Sequence, residues 1–181
     1  MANGEPHVLD KKLLGSYLND HLAGATVGLE LARRARSQNR DTRFGTVLEQ
    51  LVGEIEEDRR TLEDLMERLG IGQDRLKVTA GWIGEKAGRL KLNGRLFGYS
   101  PLSRLIELEG LTLGVSGKLA LWKSLRAVAD LDPVLDALEL DALIDRARTQ
   151  VELLERERLA AAELALTGLD EVTEPAPPPT T

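Results

Sequence analysis

The sequence predicts an all-α fold: four long helices in an antiparallel bundle, arranged as two hairpins with a long crossover, plus one shorter helix in that crossover. Three observations predict it. Leu, Ala, Glu and Arg dominate the 181 residues, against only two Trp, two Tyr and two Phe, a mixture that favours helix and denies a β-sandwich the residues it needs. Apolar positions recur at alternating steps of three and four. Capping residues then divide the chain into segments of helix-hairpin length.

The elements follow in order. Residues 1–8 read as a flexible N-terminus. The first helix is expected from about Leu9 to Ser37, and the polar turn "NRDT" (39–42) offers Asp41 or Thr42 as the next N-cap. The second runs to Leu69, where Gly70 and Gly72 suit a C-terminal cap. A crossover helix over about 74–91 ends at "NG" (93–94). Ser100 as N-cap and Pro101 at the first helical position open the fourth helix, which ends near Ala129. Asp132 and Pro133 repeat that device for the last helix, to about Leu166. Residues 9–167 thus form one bundle domain, and the proline-rich stretch 168–181 is expected to be disordered.

Composition limits the function classes. The absence of cysteine removes disulfides, thiolate metal sites and cysteine nucleophiles. No apolar run approaches the ~18 residues of a membrane span, and the N-terminus lacks a signal-peptide layout. The expectation is a cytoplasmic protein with no membrane partner. A net charge of −6 gives no global attraction to nucleic acid, which is an unlikely partner.

Each long helix carries one ionisable residue on its apolar stripe. The stripes read Leu14, Leu18, His21, Ala25, Gly28, Ala32; then Phe44, Leu48, Leu51, Ile55, Asp58, Leu62, Leu65, Leu69. On the later helices they read Leu102, Ile106, Glu109, Leu113, Ser116, Ala120; and Leu140, Ile144, Ala147, Val151, Leu154, Arg158, Ala161. His21 and Asp58 are equidistant from the Asn39–Arg40 turn, so an antiparallel pair sets them at one level. Glu109, reflected about Leu131, falls on Leu153, and Arg158 is long enough to reach back. An isolated charge at mid-depth costs several kcal/mol, so these groups should be paired, ligated or neutralised. The expected set is a buried network, His21–Asp58 with Glu109–Arg158, that fixes helix register. The alternative is a metal-carboxylate site of His21, Glu54, Asp58, Glu109 and Glu155 holding iron or manganese for redox chemistry. A small-ligand pocket at mid-bundle is a third reading.

This layout of two long hairpins, a crossover and converging mid-bundle polar residues resembles the ferritin-like superfamily over about residues 9–166. Di-iron members use a lone Glu from two helices and Glu-x-x-His from the other two. Glu109 matches a lone Glu, whereas "EIEED" (54–58) has Glu57, and "VELLERER" (151–158) has Glu155, where the motif has histidine. His7 precedes the first helix and replaces neither. The resemblance implies the architecture without the conventional di-iron motif. The stretches "YLNDHLAGA" and "LNGRLFGYSPLSRLIELEGLTLGVSGKLALW" also resemble a family of bacterial helical proteins that carries no activity over.

Several features remain. The second helix is rich in acids, while 75–95 holds Arg75, Lys77, Lys86, Arg89, Lys91 and Arg95 against Glu85. That imbalance predicts either docking of the crossover near the acidic helix or an anion- or partner-binding face; Trp82, Phe97 and Tyr99 are the aromatics near it. Gly81, Gly84 and Gly88, and likewise Gly110, Gly114 and Gly117, share helix sides. Glycine costs about 1 kcal/mol in a helix interior, so these rows predict close helix approach in the bundle or at a dimer seam. "SGK" (116–118) lacks the rest of a phosphate loop and falls mid-helix. No nucleophile elbow accompanies a histidine. The functional expectation is a non-catalytic bundle acting by association, as a homodimer or with another protein partner, without a cofactor.

Overall fold

A computed structural model describes residues 8–74 and 99–167. They form α1 (Lys11–Gln38), α2 (Arg43–Arg68), α3 (Pro101–Ala127), a 3-10 turn (Ala129–Leu131) and α4 (Ala137–Thr167). Among the described residues there is no strand, and no helix is long and apolar enough to cross a membrane. The predicted crossover helix with its basic residues and glycines, His7 and the proline-rich stretch lie outside the described residues.

Local chemistry sets the boundaries. Asp10 caps α1, accepting from Lys12 N at 2.9 Å and Leu13 N at 3.1 Å. Thr42 Oγ1 caps α2 through Phe44 N at 3.2 Å. Gly70 stops α2 at φ 68°, a left-handed conformation that glycine adopts without Cβ strain. Its N–H bonds Glu67 O and the Ile71 N–H bonds Met66 O, both at 2.9 Å, so the last carbonyls of α2 are satisfied. Ser100 and Pro101 open α3, with Ser103 N donating to Ser100 Oγ at 3.2 Å.

The last helix begins at Ala137 rather than Pro133. Asp132 instead closes a turn, accepting from Val134 N and, through its backbone oxygen, from Leu135 N, both at 3.0 Å. Asp136 then accepts from Glu139 N at 2.8 Å. Asp-x-x-Glu is capping-box spacing, and here it outweighs proline as a start signal.

Interhelical contacts follow a consistent order. Lys11 Nζ on α1 donates to Leu69 O just past α2 (3.3 Å), and Arg36 near the end of α1 pairs with Glu49 of α2 (3.2 Å). Arg126 of α3 meets Asp141 of α4 at 3.0 Å, and Glu109 meets Arg158 at 3.7 Å. Between α2 and α4, Arg43 reaches Glu157 (3.6 Å), Glu57 accepts from Arg146 (2.7 Å) and Arg68 reaches Glu139 (3.0 Å). Residue numbers rise along one member of each pair as they fall along the other.

Two apolar clusters fill the space between the helices. One gathers Leu18, Leu22, Leu62, Met66, Trp122 and Ile144; the other gathers Leu29, Phe44, Leu48, Leu51, Leu108 and Leu154. Every residue of the predicted α2 stripe is buried. The predicted α3 stripe, by contrast, faces outward: Leu102 is 41% and Leu113 74% exposed, and Glu109 is exposed. The buried face of α3 holds Leu108, Leu111, Val115, Trp122 and Leu125. α3 is apolar nearly all round, so its periodicity offered two phases, and the bulkier side chains hold the core.

Candidate functional site

Where the two apolar clusters meet, each of three helices contributes a polar residue. Asp58 lies between Ile55 and Leu62 on α2, Lys118 between Val115 and Leu121 on α3, and Gln150 between Ala147 and Leu154 on α4. α1 supplies the half-buried run Ala23–Gly28, "AGATVG", between Leu22 and Leu29. The polar groups occupy a waist between two oily halves.

Asp58 is only 3% exposed, so its charge needs partners. Lys118 Nζ donates to Asp58 Oδ2, and Arg146 Nη2 donates to Asp58 Oδ1. Gln150 ties the set together: its Nε2 donates to Glu54 Oε2 at 2.8 Å and to Asp58 Oδ2 at 3.3 Å, while its Oε1 accepts from Lys118. Glu54 also accepts from Gln50 at 2.7 Å, and Glu57 accepts from Arg146 at 2.7 Å. Burial, with the nearby Arg146 charge, lowers the Lys118 pKa against the raising pull of Asp58 and Glu54. Burial also works against the Arg146 charge, but Glu57 and Asp58 together outweigh it and raise that pKa.

The structure therefore brings Asp58 and Glu54 together but places the other expected residues elsewhere. His21 is half-buried on α1, packed edge-on to Tyr17 at 4.6 Å, and no hydrogen bond or ion pair joins it to Asp58. Burial lowers its pKa, against a smaller raising pull from Asp20. Arg158 does pair with Glu109, at 3.7 Å, but Glu109 is 49% exposed; Arg158's closer partner is Glu155, at 2.6 Å. That trio lies on the α3–α4 surface. One residue around a helix is a 100° turn, enough to exchange Glu109 for buried Leu108, and Arg158 for buried Glu157.

These donors do not fit an iron or manganese site. Both Asp58 oxygens hold cationic donors, Glu54 is taken by two glutamine amides, and Glu109 and Glu155 face Arg158. Among the described residues no group of three His, Asp or Glu is arranged to hold a metal. A shallow depression lined by Lys11, Ser16, Asn19 and Gly72 lies at the start of α1, away from the waist.

A second buried network sits at the α1–α2 turn. Glu107 is 1% exposed; Tyr99 donates its hydroxyl to Glu107 Oε2 at 2.8 Å, and Arg34 Nε lies 3.1 Å from Oε1. Fully buried Asn39 donates to Ala35 O at 2.7 Å and to the Tyr99 hydroxyl at 2.6 Å, and accepts from Arg104. Burial raises the Glu107 pKa, and Tyr99, Arg34 and Arg104 pull it partly back. Folded Glu107 therefore holds its proton more tightly than unfolded Glu107. Its contribution to stability is full below the unfolded pKa and declines as pH rises through the folded value. Relative to Glu107→Gln, the native chain is expected to lose stability as pH rises from about 4.3, measured by urea unfolding at several pH values. A gain over that range would contradict the assigned direction.

The missed residues had weak sequence signals. Lys118 occupies the step between Val115 and Trp122 on the true α3 face, and Gln150 stands one residue from Val151 on α4. Comparison with protein families, curated proteins and solved structures returned no match.

Proposed function

We propose that this protein is a non-catalytic antiparallel four-helix bundle, ferritin-like in layout, that acts in the cytoplasm by association, first as a homodimer. The observation that carries the proposal is the saturation of Asp58 by Lys118, Arg146 and Gln150 from two other helices. A carboxylate that already accepts from two cations and an amide is committed to its neighbours rather than to a substrate or a metal. It does have a structural use: sliding α2 by one turn would drive Asp58 among leucines, so the waist fixes register. The opposed numbering of the helix contacts supports the antiparallel arrangement, and the paired charges call for no cofactor.

Association draws support from the outward face of α3. Leu102 and Leu113 are 41% and 74% exposed, Ala120 is exposed, and Ile106 is half-buried. Gly114 has nothing within 4 Å of the position a Cβ would take, so a second helix could approach there closely. Leu113→Glu is expected to convert a dimer to a single chain in light scattering, with helical circular dichroism unchanged. A native chain that is already single at micromolar concentration would overturn the dimer.

A further inference from the structure

We infer that the α1–α2-turn end of the bundle is a preorganised arginine surface that binds a short acidic peptide segment of a partner protein. Association remains the mode of action, but this surface is separate from the outward face of α3.

Two buried glutamates anchor it. Glu107, 1% exposed, holds Arg34 at 3.1 Å, and the Arg34 side chain is still 61% exposed. Glu157, 6% exposed at its side chain, sits between Arg43 at 3.6 Å and Arg156 at 3.2 Å; those arginines are 48% and 67% exposed. Buried Phe44 joins the two groups, with the Arg104 guanidinium 4.6 Å and the Arg43 guanidinium 5.3 Å from its ring centroid. Arg40 is exposed in the turn between them. Each carboxylate holds its arginines from below, while the Arg34, Arg43 and Arg156 side chains remain about half or more exposed. Such arginines lose less side-chain entropy on meeting a second carboxylate, and their planar forks match carboxylate geometry.

The partner's chemistry follows from what surrounds the patch. The chain carries −6 overall, and exposed Glu49, Glu57, Asp64 and Glu67 line α2 beyond this end. An extended polyanion would run onto those acids within a few Debye lengths of about 10 Å. Phe44 is 0% exposed and Tyr99 is half-buried, so bases would find no open aromatic platform. A short acidic peptide suits the patch better than a nucleic acid.

The test is anisotropy of a fluorescein-labelled oligoglutamate peptide titrated with the full chain. Binding is expected at low ionic strength, with at least tenfold loss near 1 M salt, where the Debye length falls to about 3 Å. Arg40→Gln with Arg156→Gln should weaken it about tenfold, leaving Arg34 and Arg43 on the buried glutamates. Arg40→Glu alone touches neither glutamate and should also weaken binding, which covers the case in which the double variant does not fold. Leu113→Glu should leave peptide affinity unchanged whether or not it alters the oligomer, which separates this surface from the dimer. No peptide binding, binding indifferent to these arginine substitutions, or tighter binding of an oligothymidylate of equal length would overturn the inference.

Discussion

Asp58→Leu is expected to lower the unfolding free energy by about 3–5 kcal/mol, and adding Lys118→Met to it is expected to restore most of that loss. The single change leaves a lysine whose side chain is only 14% exposed without its carboxylate. Gln150 Oε1 remains as an uncharged acceptor, while Arg146 keeps Glu57. The double change removes both ends of the pair and fills the waist with apolar side chains of similar length, an exchange that is often neutral or stabilising. A pH signature accompanies it. Burial already lowers the Lys118 pKa, and losing Asp58 removes an influence that raises it. Folded Lys118 then binds fewer protons than unfolded lysine below about pH 10.4, so Asp58→Leu should regain stability as pH rises toward that value. Urea unfolding of the native chain, both single variants and the double variant measures the coupling directly. Additive losses would mean that the two charges are not a pair.

Gly45→Ala is expected to destabilise by about 1–3 kcal/mol, although alanine is the better helix former. A Cβ at Gly45 would lie 2.5 Å from Asn39 O and 2.8 Å from Arg40 O. Both obstacles are backbone atoms of the α1–α2 turn, which cannot swing aside as a side chain can. Asn39 is also the fully buried hub that binds Tyr99 and Arg104, so displacing its backbone would disturb that network. Gly53→Ala on the same helix is the control. It is exposed with nothing within 4 Å of the new methyl, so it should gain about 0.5–1 kcal/mol. Thermal melts of the two variants should move in opposite directions. Parallel shifts would contradict the tight packing of the turn.

The helices were legible in the sequence where one residue type had one physical reason to be there. α2 carries acids on one side and Leu, Ile and Phe on the other, so only one phase buries oil, and every expected core residue of it is buried. α3 has charges at few positions, and Leu102, Ile106 and Leu113 mark a stripe as regular as the buried one. Periodicity alone cannot choose between two apolar faces; the choice is made by Trp122, Leu108 and Leu111 packing against other helices. That phase error also hid the site. With Glu109 set inward, Lys118 falls off the expected stripe, within an "SGK" that has no phosphate loop around it, and Gln150 gives no signal because an amide carries no charge. Asp58 was legible because an acid stood in an unbroken hydrophobic row. His21 stood on a row of small residues, which predicts an inward side less sharply. The glycine rows divide in the same way. A Cβ at Gly110 would lie 3.0 Å from the Leu31 side chain, as close helix approach requires, whereas one at Gly114 or Gly117 would meet nothing within 4 Å.

On the reading proposed above, Lys118 supplies the positive charge that buried Asp58 requires, and the waist holds the helices in register without a metal. The most direct measurement is elemental analysis of untagged protein purified without chelator and supplied with iron and manganese. The expected result is no stoichiometric metal, together with a melting temperature that neither metal nor chelator changes. Iron or manganese bound at one or more equivalents per chain, and lost on Asp58→Asn, would contradict a metal-free waist.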